Sequence, residues 1–103
     1  MEEQKGPKLI EVNCGEFKIR VFYIKGLKPE TEVIQEIIEE LKKLGEKEID
    51  DSIFIFKKIE EKERKKYYEC NIVIRRQIRY TFTLEYDLES KKLLEKTYKK
   101  IEE

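Results

Sequence analysis

The sequence predicts an α+β domain in two layers: a mostly antiparallel sheet packed by one long helix and a C-terminal helix, in the order β-β-α-β-β-β-α. Three observations lead there. Val33, Ile34, Ile37, Ile38, Leu41 and Leu44 recur at helical spacing. From Tyr68 to Leu88 the apolar residues fall almost without exception on even numbers, the period of a half-buried strand. Although 45% of the residues are charged, 39% are hydrophobic and 11% aromatic. That is too much apolar content, with charges too evenly balanced, for a disordered chain. The length of 103 residues fits one domain, read as residues 9–103 behind a polar tail at 1–8. A chain of this size buries roughly 65% of its unfolded surface, enough for one core.

Leu9 to Ile24 reads as a hairpin. With Cys14-Gly15 as a two-residue turn, Val12 stands opposite Phe17 and Ile10 opposite Ile19, and Ile10, Val12, Phe17, Ile19, Val21 and Tyr23 share a face. Gly26-Leu27-Lys28 breaks the strand. Pro29 suits a first helical position, Glu30 and Glu32 suit the positive end of the helix dipole, and Gly45 is the stop. Gln35, Glu36, Glu39, Glu40, Lys42 and Lys43 make the wet face.

Ser52–Ile59 reads as a strand, and the wholly charged stretch 60–66 as a solvated hairpin tip, with a short helical turn as the alternative. One strand from Tyr68 to Leu88 would reach about 70 Å at ~3.3 Å per residue, too long for this domain. A reversal at Arg75-Arg76-Gln77 is therefore expected. A three-residue loop would pair Ile74 with Ile78, keep the even-numbered face intact and place Gln77 in the left-handed region. A bent continuous strand is the alternative. In the last segment Ser90 suits a cap, and Leu93, Leu94, Tyr98 and Ile101 follow helical spacing. The same residues also fit a final strand after a turn at 89–92. The Lys/Glu-rich composition favours the helix.

Lys+Arg and Asp+Glu are equal at 23 each, and the chain has no His, no Trp and no Ala. Dense charge of mixed sign suits ion-pair networks at high temperature, and the Lys-, Glu- and Ile-rich usage resembles that of proteins from hyperthermophilic archaea or their viruses. Zero net charge speaks against a general nucleic-acid or anionic-membrane binder. No apolar run approaches a membrane span, and the polar start lacks a signal-peptide pattern, so a cytoplasmic location is expected. The run α-β-β-β-α from Pro29, with Ser90-Lys91-Lys92 opening its last helix, resembles double-stranded-RNA-binding domains in element order. That family's Gly-Pro-x-His-type loop and Ala-rich last helix have no counterpart here, so the family is not assigned.

Catalytic chemistry finds little support. Without His there is no Ser–His or Cys–His pair, and Ser52 and Ser90 both sit where capping explains them. The glycines at 6, 15, 26 and 45 form no phosphate cradle. Asp50-Asp51 reads as a loop cap ahead of a strand rather than a cation site. Cys14 and Cys70 read as small semi-buried thiols, with a single disulfide as the alternative. No enzyme activity, cofactor or metal is expected.

The sequence favours an interaction module. Ile53-Phe54-Ile55-Phe56 is apolar on both faces of its strand, and only one face serves the core. Phe22, Ile24 and Val73 also fall opposite the core parity. Apolar surface of that extent favours association, in its simplest form a homodimer, or else an unidentified protein partner. The alternative is single-stranded DNA or RNA binding by Lys62, Arg64, Lys65 and Lys66 with Tyr67, and by Arg75, Arg76 and Arg79. There, arginine and aromatic side chains on an exposed sheet would neutralise and stack a single strand.

Overall fold

Three two-residue turns, one four-residue turn and one helical crossover build a single six-stranded sheet with one helix. The structure is a computed structural model that describes residues 7–24 and 28–101. The elements are β1 (Pro7–Cys14), β2 (Phe17–Ile24), α1 (Thr31–Lys43), β3 (Ile53–Lys62), β4 (Lys65–Ile74), β5 (Gln77–Asp87) and β6 (Lys92–Lys100). Strand order in the sheet follows chain order. β2 and β3 run parallel, joined by the crossover that carries α1, and the other neighbours are antiparallel. The polar tail at 1–6 and the strand break at Gly26-Leu27 lie outside the described residues, while Pro7 and Lys8 already belong to β1.

The amphipathic stripe places α1 across one face of the sheet. Val33, Ile34, Ile37, Ile38 and Leu41 are buried there against Ile19, Val21, Phe54, Phe56, Ile72, Phe82 and Leu84. Pro29 is not the first helical residue. It precedes the cap position, Glu30, and the helix begins at Thr31. Leu44 leaves the stripe: it is the C-cap and is 37% exposed. The helix ends in a Schellman motif about Gly45 at φ 85°, with Gly45 N–H donating to Lys42 O and Glu46 N–H to Leu41 O.

The first hairpin turns at Gly15-Glu16, one residue later than the sequence suggests, so Val12 faces Ile19 and Ile10 faces Val21. The six apolar side chains still share the core face. The charged tip narrows to Glu63-Arg64, at φ 51° and 65°, because β3 and β4 pair as far as Lys62↔Lys65.

The reversal after β4 differs from the expected three-residue loop. It is a two-residue turn, Arg75-Arg76, at φ 58° and 63°, pairing Ile74 with Gln77. An even loop would turn β5 inside out. A bulge prevents this: Val73 pairs with Ile78 but Ile72 pairs with Tyr80, leaving Arg79 as the extra residue. Beyond the bulge Tyr80, Phe82, Leu84 and Tyr86 face the core, while Ile78 turns to the other face and is 44% exposed.

The C-terminal helix is also overturned: residues 92–100 form β6 on the free edge of β5. Ser90 caps a turn instead, its N–H and hydroxyl both donating to Asp87. A bulge at Leu94 explains the misleading spacing, because Leu93 pairs with Tyr86 while Glu95 pairs with Glu85. Lys96 and Tyr98 then face α1, with Lys96 bridging Glu36 and Glu40 at 3.1 and 3.2 Å. With four strands after α1, the element order of a double-stranded-RNA-binding domain is lost.

Candidate interaction surface

Strand alternation gives the sheet a second face, which α1 does not cover. The cross-strand register sorts this open face into rows. One row runs Leu9, Phe22, Ile55, Asn71, Thr81 and Lys99. The next runs Glu11, Arg20, Ile53, Val73 and Ile78. Together they make a contiguous apolar patch over β1 to β5. Leu9 is 52% exposed, and Phe22, Ile53, Ile55 and Val73 are half-buried by their own neighbours. Asn71 and Thr81 border the patch, joined by a 3.0 Å hydrogen bond from the Thr81 hydroxyl to Asn71 Oδ1.

The other half of the open face is charged. Lys58 stands opposite Glu69, and Glu60, Tyr67, Glu85 and Glu95 form one row. Lys57–Glu69 and Lys65–Glu85 make ion pairs of 3.6 and 3.5 Å. The face is therefore polarised along the strands, apolar toward the Arg75-Arg76 turn and ionic toward the Glu63-Arg64 turn.

The sequence-derived interface divides in two. Ile53 and Ile55 lie in the open patch. Phe54 and Phe56 are core residues, Phe56 packing edge-on against Tyr68 at 5.6 Å. Leu9 and Ile78 were missed. The odd number of Leu9 beside Ile10 and Val12 was a usable signal, whereas the even number of Ile78 concealed it. Ile24, the remaining off-parity residue, closes β2.

The residues singled out for nucleic acid do not form one surface. Lys62, Arg64, Lys65, Lys66 and Tyr67 lie at one end of β4 and Arg75, Arg76 and Arg79 at the other, about 30 Å away at ~3.3 Å per residue. Most have carboxylate partners: Arg64 with Glu89, Lys65 with Glu85, Arg75 with Glu48 in a two-point pair, and Arg79 with Glu46 at 3.7 Å.

Lys66 is buried. Its Nζ donates to Lys28 O at 3.1 Å and to Glu30 Oε2 at 3.2 Å, while the Tyr68 hydroxyl donates to Glu30 Oε1. Glu30 makes no side-chain cap bond to α1. Its carboxylate instead joins the helix start to β4. Burial, reinforced by that carboxylate, pushes the Tyr68 hydroxyl far above its ordinary range. Tyr80 donates to Glu46 at 2.7 Å, and burial with this acceptor pushes it up to about 12. These contacts fasten the helix and its flanks to the sheet.

Both thiols are free and buried, and burial raises both above the usual thiol range. Such thiols are poor nucleophiles, since the thiolate is the reactive form. Asp50 braces a loop by accepting the Lys18 N–H at 2.7 Å. Among the described residues no group of three or more acidic or thiol side chains is placed to hold a metal ion, and no helix is long and apolar enough to cross a membrane. No protein family, curated protein or solved structure matches this chain.

Proposed function

We propose that this protein is a non-enzymatic interaction module whose open sheet face seats a second copy of itself. The observation that carries the reading is the apolar patch of Leu9, Phe22, Ile53, Ile55, Val73 and Ile78, which no element among the described residues covers, beside the core on the other face. Six strands at ~4.8 Å spacing and about eight residues of strand length give a face of roughly 24 by 26 Å. That is about 620 Å² in projection for the whole face and about 310 Å² for its apolar half, less than the ~800 Å² a standard interface takes from each partner, so the face contact by itself is that of a weak dimer. Two such faces pack as a sandwich, with side chains interdigitating about 10 Å apart. The ionic half of the face stays in water, which limits contact to the apolar half.

The test is molar mass by light scattering on gel filtration, with Ile55→Lys as the variant. The native chain should run at no less than twice its 12.6 kDa. Ile55→Lys should stay folded, because its position is not in the core, and should fall in mass. Phe54→Ala, one residue away, should instead lose stability, since Phe54 is completely buried. A native monomer at high concentration, or a mass unaffected by Ile55→Lys, overturns the reading. So does a monomer that gains mass only with single-stranded RNA or DNA at low salt, the behaviour expected of the nucleic-acid alternative.

A further inference from the structure

The two edges of the sheet are built differently. β6 carries Lys92, Lys96, Lys99 and Lys100 and is broken by the bulge at Leu94. Lysines and bulges are the devices that keep an edge strand from recruiting another strand. β1 has neither. Its eight residues pair one-to-one with β2 without a register shift, Lys8 and Glu11 are its only charges, and among the described residues nothing pairs with its outer side.

We infer that the outer edge of β1 is a second self-association site, taken by β1 of another copy running antiparallel about Ile10. Register follows from charge and symmetry. A two-fold axis perpendicular to the sheet keeps each residue on its own face, so only residues of like parity can stand opposite each other. Centring the pair on Glu11 opposes two carboxylates, and centring it on Lys8 opposes two ammonium groups, both unfavourable. Centring on Leu9 shortens the overlap. Centring on Ile10 pairs every position from Pro7 to Asn13, sets Leu9 opposite Glu11 and Lys8 opposite Val12, and opposes no like charges.

This axis also suits the open face. Ile10 stands level with Val21 and Phe54, midway between the row of Leu9, Phe22 and Ile55 and the row of Glu11, Arg20 and Ile53. In this register the row of Leu9, Phe22 and Ile55 runs on into Glu11, Arg20 and Ile53 of the other copy, and the two Leu9 side chains meet diagonally across the axis. A face-to-face two-fold lying in the sheet plane at that level would lay the Ile53 row of one copy on the Ile55 row of the next. The two axes meet at right angles, so the contacts close into a tetramer with D2 symmetry rather than growing into a filament. The edge contact itself stands on the β1 observations and does not require the face contact.

Molar mass and native-state hydrogen exchange together test it. Adjacent residues of a strand point their N–H groups to opposite sides. Of Ile10→Pro and Glu11→Pro, one therefore removes an outward N–H and spares the β1–β2 ladder, and the folded variant of the two is the informative one. The native protein should run at four times the chain mass, and the outward amides of β1 should be protected more strongly as concentration rises. The folded proline variant should halve the mass and lose that protection. Ile55→Lys should also halve the mass but keep the β1 protection, and the combination should give a monomer. If Ile55→Lys changes nothing while the proline variant reduces a dimer to a monomer, the edge contact stands without the face. Unprotected outward amides, or protection independent of concentration, overturn the edge contact, the latter because the chain itself would then be covering β1.

Discussion

Replacing Arg76 by glycine should stabilise this protein, although it deletes a charged side chain and adds a flexible residue. Arg75 and Arg76 are the whole of the β4–β5 turn, and both have positive φ, 58° and 63°. Two-residue hairpins with this backbone ordinarily use Asn-Gly, because a Cβ in the left-handed region crowds the backbone. A left-handed non-glycine residue costs about 1–2 kcal/mol, and the extra entropy glycine loses on folding returns about 0.5–1, so the net gain is about 0.5–1 kcal/mol. Arg76 is the better of the two positions. Arg75 holds Glu48 in an exposed two-point ion pair, and losing that pair would offset part of the relief of strain. At roughly 4–8 °C per kcal/mol for a domain of this size, Arg76→Gly should raise the melting temperature by about 2–8 °C. Guanidinium denaturation should show a higher midpoint with an unchanged slope. Gln77→Gly supplies the contrast. Gln77 starts β5 opposite Ile74 and is not among the residues at positive φ, so glycine there should be neutral or destabilising. If Gln77→Gly stabilises and Arg76→Gly destabilises, the loop has three residues and the bulge at Arg79 is wrong.

Two further outcomes follow from the polar contacts between helix and sheet. Lys66→Met should destabilise by about 2 kcal/mol in denaturant titrations, less than the ~3–5 kcal/mol of a fully buried pair because Glu30 is a quarter exposed, and adding Glu30→Gln should recover part of that loss. Alkaline pH should unfold the protein more readily, because Tyr68 and Tyr80 release their protons above the value near 10 of an unfolded chain. Their contribution is complete below pH 10 and shrinks as pH rises toward about 12, and Tyr80→Phe should flatten that part of the stability–pH curve.

Helix α1, the first hairpin and the core face of β4 were legible in the sequence because each shows one unbroken period ended by a residue suited to the stop. The last segment was not. Leu93, Leu94, Tyr98 and Ile101 fit a helix only because the bulge at Leu94 adds one residue to a period of two. What overrides the helix propensity of these Lys and Glu residues is tertiary: the unpaired edge of β5 offers backbone partners, and Glu36 and Glu40 of α1 offer Lys96 a charge partner. Neither is visible in the local sequence.

The bulge after the Arg75-Arg76 turn decides which face Ile78 takes. A run of even-numbered apolar residues invites the conclusion that all of them are core, and an odd loop would have made that true. The chain instead reverses in two residues and repairs its parity with one extra residue, Arg79, whose guanidinium reaches Glu46 beyond the helix. The cost falls on Ile78, turned out beside Val73, where it completes the apolar row begun by Ile53. The same contacts bear on the balance of charge. Glu30, Glu36, Glu40, Glu46 and Glu48, from the helix and its flanks, pair with Lys66, Lys96, Arg79 and Arg75 of the sheet and its turns. Cations that look like a basic cluster in sequence are thus largely matched within the fold. Among the described residues the apolar half of the open face has no such partners, which favours association through that face over neutralisation of a polyanion.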